Sequence, residues 1–358
     1  KKEKYNGIII NYSLKKESQD EKINIINKSF QKEKLVKVGL LGAGQFAQGI
    51  LLPALKSTQN VSFEGVATIS GLTSLNVAKK YNAKFCTSNY KDLINNEKIN
   101  LIFITTRHDT HAQFIEETLN AKKNCYVEKP IALNEKELNR VIKAYKNNES
   151  ILMVGFNRRF SPYSKKLRDY FSGSKIVMNY RINAGFISRE KWQQSHEEGG
   201  GRIVGEICHF VDLLQFVCRS KPISVRTSVI DENSSDYDPD NLIVLVDFLN
   251  GSSASIIYTS SGTNKYSKER IEVFGDKKVG IIDSWQSLKI IGEGIKIKDK
   301  SLLSSEKGFK EEMQILLKGI NNGFSPIPFE EIISATRTTF AIQKSIKYGT
   351  KIEVNNEL

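Results

Sequence analysis

From Val36 onward, apolar residues come in short unbroken runs separated by stretches with helical spacing. "VKVGLL" leads through a glycine turn into "QFAQGILLPALK". "VSFEGVAT" precedes "LTSLNVAKKY", "INLIFITT" precedes "DTHAQFIEETLNAK", and "NCYVEKP" precedes "NEKELNRVIKAYKN". "ILMVGF" closes the series. Strands that are apolar throughout are covered on both faces, and the helices between them make parallel connections. Right-handed crossovers place those helices on both sides. Residues 36–156 are therefore predicted to form a doubly wound parallel sheet.

After Phe156 the pattern changes to alternation, in "KIVMNYRINAGF", "ISVRTSVID", "NLIVLVDFLNGSSASIIYTSSG" and "RIEVFGDKKVGIIDSWQSLKII". Turns at Asn250-Gly251 and Gly275-Asp276 predict hairpins in an antiparallel sheet with one exposed face. This second domain, of α+β type, is assigned to residues 157–328, and 329–358 to a C-terminal helix. Residues 1–35 are read as an extension or linker. In it the apolar "GIIINY", a predicted strand, precedes the polar "SLKKESQDEKINIINKSFQKEK". A strand without an evident partner, in a chain opening at Lys1, is expected either as the end of an upstream part or from ordinary processing.

Composition narrows the class. The chain has 358 residues, 39% of them hydrophobic and 26% charged. No apolar run reaches the roughly 20 residues that cross a bilayer, and no secretory leader is visible. The four cysteines lack CxxC spacing, so reduced core thiols in a cytoplasmic protein are expected, and no metal site. The net charge of +13 comes mostly from scattered lysines. Without an arginine stripe or aromatic–basic interleaving, it is read as a solvated surface or an attraction for small anions, not as a nucleic-acid interface.

The chemistry begins at Gly42-Ala43-Gly44-Gln45-Phe46-Ala47, a G-x-G-x-x-A turn after a strand and before a helix. Gly42 permits the turn, Gly44 admits a pyrophosphate to the backbone, and Ala47 allows close packing. This is the Rossmann arrangement, and a nicotinamide dinucleotide is the expected cofactor. The second strand ends without an acid, so Thr68 and Ser70 serve either NAD or NADP, with NAD the first expectation. Ligands in such sheets lie beyond the carboxyl ends of the strands. There the glycine turn, with Gln45 and Phe46, meets the loop of Thr105, Thr106, Arg107, His108 and His111, and also Glu128-Lys129-Pro130, and these residues are expected to bind the cofactor. Lys129 then projects toward the nicotinamide. In "GGGRIVGEICHFVDLLQFV", Glu206, His209 and Asp212 recur at i, i+3 and i+6, on roughly one helix face. Alone, His209 reads as a satisfied interfacial histidine. The few histidines of the chain cluster near the crevice, which favours chemistry.

The motifs "GLLGAGQFA", "ITTRHDTHA", "EKPIAL", "VGFNRRFSP" and "GGGRIVGEICHFVD", in that order, resemble the glucose–fructose oxidoreductase/inositol dehydrogenase (Gfo/Idh/MocA) family. The resemblance covers about Val36 to Ile352. It implies an N-terminal Rossmann domain and a C-terminal domain with an open, mostly antiparallel sheet that mediates homo-oligomers. The last helix, about Glu330 to Tyr348, would return to the first domain. Lys129 would hold the reacting hydroxyl and His209 would take its proton. Glu128 would help aim Lys129, and Asn157, Arg158, Asn183, Trp192 and Asp212 would face the substrate. Trp192 reads equally well as a sugar-stacking ring or a core tryptophan. The implied activity is NAD(P)-dependent oxidoreduction of a sugar, nucleotide-sugar or cyclitol hydroxyl. The alternative is a dinucleotide-binding sensor or scaffold. One departure stands out: the family's Asp four residues before the histidine is Gly205 here, and Glu206 is expected to supply the missing carboxylate to His209 or the substrate. The same motif and the N-terminal strand resemble a subgroup in which this module follows a zinc-type alcohol-dehydrogenase-like module.

Overall fold

The computed structural model describes residues 22–24, 35–230, 239–301 and 305–357; the strand predicted in "GIIINY" lies outside them. The first sheet contains β1 (Lys22–Asn24), β2 (Val36–Leu41), β3 (Val61–Ala67), β4 (Phe85–Thr87), β5 (Leu101–Ile104), β6 (Asn124–Val127) and β7 (Leu152–Val154). Their spatial order is β1-β4-β3-β2-β5-β6-β7. From β2 to β7 all pairings are parallel. Only β1, from the stretch read as a linker, adds antiparallel, along β4. The short β4 escapes pattern reading because three residues carry no period. Every residue of β5 is buried, as an unbroken apolar run requires. Helices α1 (Leu52–Lys56), α2 (Gly71–Tyr81), α3 (Lys91–Ile94), α4 (His111–Asn120) and α5 (Glu135–Lys146) make the connections. The strand order reverses between β2 and β5, which puts the crevice at their carboxyl ends.

A second layer follows through α6 (Pro162–Tyr170), β8 (Val177–Asn183) and α7 (Cys208–Cys218). Its strands continue as β9 (Pro222–Val229), β10 (Asn241–Phe248), β11 (Ser253–Thr259), β12 (Glu269–Gly275), β13 (Lys278–Asp283), β14 (Ser287–Gly292) and β15 (Ile295–Lys300). After α8 (Phe309–Asn322) and α9 (Phe329–Tyr348), β16 (Ile352–Glu353) closes the sheet. The order is β15-β14-β13-β12-β8-β11-β10-β9-β16, antiparallel except for β8 with β11. The inner face of β10 is buried, while Ile243 and Leu245 on the outer face are exposed, as the alternation predicts. All four cysteines are free and buried.

Helix α9 packs mainly along α7 and β9, and reaches the first layer at α5, where Phe329 stacks on Tyr145 at 3.7 Å and Arg337 lies 3.6 Å from Glu135. A buried guanidinium holds it there: Arg159 is paired with Asp212 of α7 and with Glu331 of α9, at 2.8 Å for the latter. Asp212 is fully buried in this link, so it does not face a substrate. Replacing Asp212 with Ala leaves the guanidinium without its main partner and is expected to cost about 3–5 kcal/mol. Thermal unfolding should show that loss while the affinity for NADH stays unchanged. Unchanged stability would overturn the structural role.

Candidate active site

Three loops close on one another through backbone and side-chain hydrogen bonds. The Gly42 amide donates to Ala67 O at 2.9 Å, and the Thr105 hydroxyl donates to Gly42 O at 2.8 Å. Gly42 has φ +81, and a Cβ there would stand 2.7 Å from Thr105 O. Glycine is thus required both by backbone conformation and by space. Gly44 differs: a Cβ built on it meets nothing within 4 Å. It faces an open cradle in which a pyrophosphate can reach the backbone at the start of a helix. That helix begins with a wide π-type turn over Ala47–Leu51. Thr68 and Ser70 sit at the end of β3, where the Thr68 hydroxyl bonds Ser70 O at 2.6 Å.

His111 is placed behind the loop, not in the crevice. It is fully buried, with Nδ1 2.7 Å from Pro130 O and Nε2 3.2 Å from Thr106 O. Burial pushes its pKa down to about 4, so the ring is neutral; its single N–H goes from Nδ1 to Pro130 O, the shorter contact, and clamps one loop to the other. Glu128 is also turned inward and accepts from the Tyr126 hydroxyl at 2.9 Å. Burial pushes its carboxyl up to about 7, against the pull of Lys129 and Tyr126. Between these anchors Lys129 points out, half-buried, and its Nζ donates to the Gly205 carbonyl at 2.7 Å. The Lys129–Pro130 bond is cis.

The loop after β5 docks onto the glycine-led segment of the second layer. Arg107 pairs with Glu198, the Asp109 amide donates to Glu198 O at 3.2 Å, and His108 Nδ1 lies 2.8 Å from Gly199 O. Gly199 also packs against the Trp192–Gln193 backbone, where a Cβ would be 2.4 Å from Trp192 O. Trp192 is half-buried rather than a core tryptophan. Its ring meets His108 edge-on at 4.8 Å, with Arg107 over its face. Beside them opens a cavity of about 710 Å³ lined in part by Arg107, Lys191, Trp192 and His196.

The expected common face of Glu206, His209 and Asp212 does not form. A wide π-type turn over Ile203–Ile207 precedes α7, and the extra residue rotates Glu206 away from His209. Glu206 instead accepts from the Tyr258 hydroxyl at 2.6 Å and pairs with Arg202 at 3.1 Å and Lys268 at 3.7 Å. Burial favours its neutral form, but Arg202, Lys268 and Lys129 hold its pKa below the ordinary carboxylate value. His209 has no carboxylate partner; its Nδ1 is buried and unbonded. Burial and the charges of Arg158, Lys129, Lys268 and Lys307 push its pKa far down, so the ring is neutral.

Asn157 and Arg158 are also turned inward. Asn157 donates to Lys307 O at 2.8 Å, and Arg158 grips Glu269 with two bonds of 2.8 Å. Glu269 also accepts from Tyr180 at 2.6 Å and Trp285 at 2.9 Å. Asn183 is buried and donates to Thr263 O at 2.8 Å, leaving its Oδ1 unbonded. Sequence reasoning missed Glu269, Lys268, Lys307 and Tyr258. Each lies on or beside the second sheet with no motif around it. Its only signal is a polar residue in or next to an otherwise apolar alternation.

Two family models match: "Oxidoreductase family, NAD-binding Rossmann fold" over residues 36–156 and "Oxidoreductase family, C-terminal alpha/beta domain" over 174–354. The chain belongs to the Gfo/Idh/MocA oxidoreductase family. An uncharacterized oxidoreductase of Bacillus subtilis (strain 168) is 23% identical over 337 residues, 90% of this chain and 98% of the relative. Inositol 2-dehydrogenase of Rhizobium meliloti (strain 1021) is 28% identical over 249 residues, 68% of this chain and 74% of the relative. Levoglucosan dehydrogenase, solved with NADH and levoglucosan, has a TM-score of 0.78 at 17% identity, covering 89% of this chain and 99% of that one. As a member of this family the chain is an NAD-binding oxidoreductase, with NAD or NADP as cofactor. The open space at Gly44 fits that cofactor. Gly44→Val would fill the cradle without striking the protein, so folding should persist while NADH binding is lost. Fluorescence titration checks this, and a variant that still binds NADH would show that the pyrophosphate lies elsewhere.

Proposed function

We propose that the chain interconverts a secondary hydroxyl and a ketone on a sugar-like polyol, a sugar, nucleotide-sugar or cyclitol. The observation that carries the reading is that Lys129, an outward-pointing ammonium of the first layer, and His209 of the second come near enough for the ammonium to add to burial in keeping the imidazole neutral. When bound, the nicotinamide supplies the hydride acceptor. The Lys129 ammonium donates to the oxygen on which negative charge develops. Neutral His209 accepts the hydroxyl proton as the carbinol C–H bond is broken and the carbonyl forms. The family relatives named for inositol and levoglucosan support a polyol substrate.

A second copy of the chain is the proposed partner. Val177, Ile243, Leu245 and Phe274 leave large apolar side chains exposed on the outer face of the second sheet. Large apolar side chains exposed on one face of a sheet favour association. Leu245→Glu is expected to lower the mass measured by light scattering; a wild-type monomer would sink the proposal.

NAD and NADP reduction with myo-inositol, D-glucose, levoglucosan and UDP-glucose tests the activity. Reduction by none of them would count against this reading. Lys129→Ala should keep NADH binding and lose roughly a hundredfold or more in turnover. Full activity in that variant would make the lysine structural. A base works deprotonated, and the pKa of His209 is held well below 6.5. The oxidation rate should therefore stay level as the pH falls past 6.5 and decline only in more acid solution. An acid limb centred at or above 6.5, absent in His209→Asn, would contradict the environment assigned to this ring.

A further inference from the structure

We propose that His108 is a substrate-recognition residue whose Nε2 accepts a hydrogen bond from a hydroxyl on the carbon next to the reacting one. The proposal rests on the functional reading above. The tautomer follows from geometry. His108 Nδ1 lies 2.8 Å from the Gly199 carbonyl, which can only accept, so Nδ1 carries the proton. In a neutral ring Nε2 is then a bare acceptor. Burial, together with the charge of Lys129, keeps the ring neutral.

The other imidazole nitrogens near the crevice behave differently. Both nitrogens of His111 face backbone carbonyls, and His209 Nδ1 is sealed in the protein. Nε2 of His108 has no partner among the described residues and is not among the sealed unbonded atoms. The ring itself is fixed, by Gly199 on one side and the Trp192 edge at 4.8 Å on another.

Gly205 brings this acceptor together with Lys129. The Lys129 amine sits on the Gly205 carbonyl at 2.7 Å. A Cβ on Gly205 would stand 3.2 Å from His108 Cε1, 3.4 Å from its Nδ1 and 2.9 Å from Gly199 O. A side chain at 205 would therefore press on the Gly199 carbonyl and crowd the His108 ring that it holds. Beside His209, which takes the proton of the reacting hydroxyl, what the site presents around Gly205 is one donor, Lys129, and one further acceptor, His108. Two adjacent hydroxyls match that pair, one taking the lysine N–H and the other giving its own proton to Nε2. A site built to bond a hydroxyl rejects analogues that lack it, because its buried polar atom is left unpaired.

Diethyl pyrocarbonate acylates open, neutral imidazole nitrogens, and mass spectrometry locates the adducts. In the NADH-loaded full chain, His108 and the exposed His196 should be modified and the buried His111 should not. Addition of whichever of myo-inositol, D-glucose, levoglucosan or UDP-glucose the wild type oxidises should protect His108 and leave His196 reactive. Protection by NADH alone would make His108 a cofactor contact and overturn the proposal, as would no modification of His108 at all. In kinetics, His108→Phe should raise KM for that compound at least tenfold with a smaller change in kcat and unchanged NADH affinity. His108→Gln, whose amide oxygen also accepts, should recover part of the loss. A wild type that oxidises none of the four compounds fails the functional reading itself. A wild type that oxidises one, with His108→Phe its equal, overturns only the role of His108.

Discussion

The hydrogen bond between His111 and the Pro130 carbonyl fixes where Lys129 points. Backbone at the carboxyl end of a parallel strand has lost its ladder, and each loop there must find partners elsewhere. Here the loops partner one another. His111 spans from the loop after β5 to the one after β6, and Thr105 spans from the same loop to the glycine turn after β2. The result is a rigid rim with a lysine projecting from it. Because the clamp is a neutral, fully buried imidazole, it adds no charge beside the ammonium it positions.

Charge is handled in two ways on either side of that rim. Inside the protein, cations are matched: Arg158 with Glu269, Arg159 with Asp212 and Glu331, Arg202 with Glu206. An unpaired ion in such places would cost several kcal/mol. Along the crevice, among the described residues, Lys129 bonds a carbonyl and His209 Nδ1 has no partner. Buried pairing supplies rigidity, and its absence at the crevice leaves one donor and one proton acceptor available for chemistry. Burial first, and the excess of positive charge there with it, keeps the imidazole unprotonated.

The two layers are joined at the same place. Contacts from Arg107, His108 and Asp109 to Glu198 and Gly199 seat the nucleotide-side loop on the glycine-led segment. The Lys129–Gly205 bond crosses the same junction. Glycines at 199 and 205 are needed because backbone and ring atoms occupy the space a side chain would take.

The local pattern of the chain determined much of this. Unbroken apolar runs separated by helical spacing specify a parallel sheet, because only residues buried on both faces can be apolar throughout. The glycine turn specifies a dinucleotide cradle, since its spacing follows from backbone geometry alone. The position of Lys129 at a strand end was legible for the same reason. The partners of polar residues were not. Glu206 three residues before His209 suggests a shared helix face, yet one π-type turn separates them. Asn157, Arg158 and Asp212 look like substrate contacts and prove to be buried anchors, held by Lys307, Glu269 and Arg159 from distant strands, loops and helices. Hydrophobic period is a property of neighbouring residues and survives in one dimension. Hydrogen bonds and ion pairs between residues more than fifty positions apart are decided only when the chain folds in three dimensions.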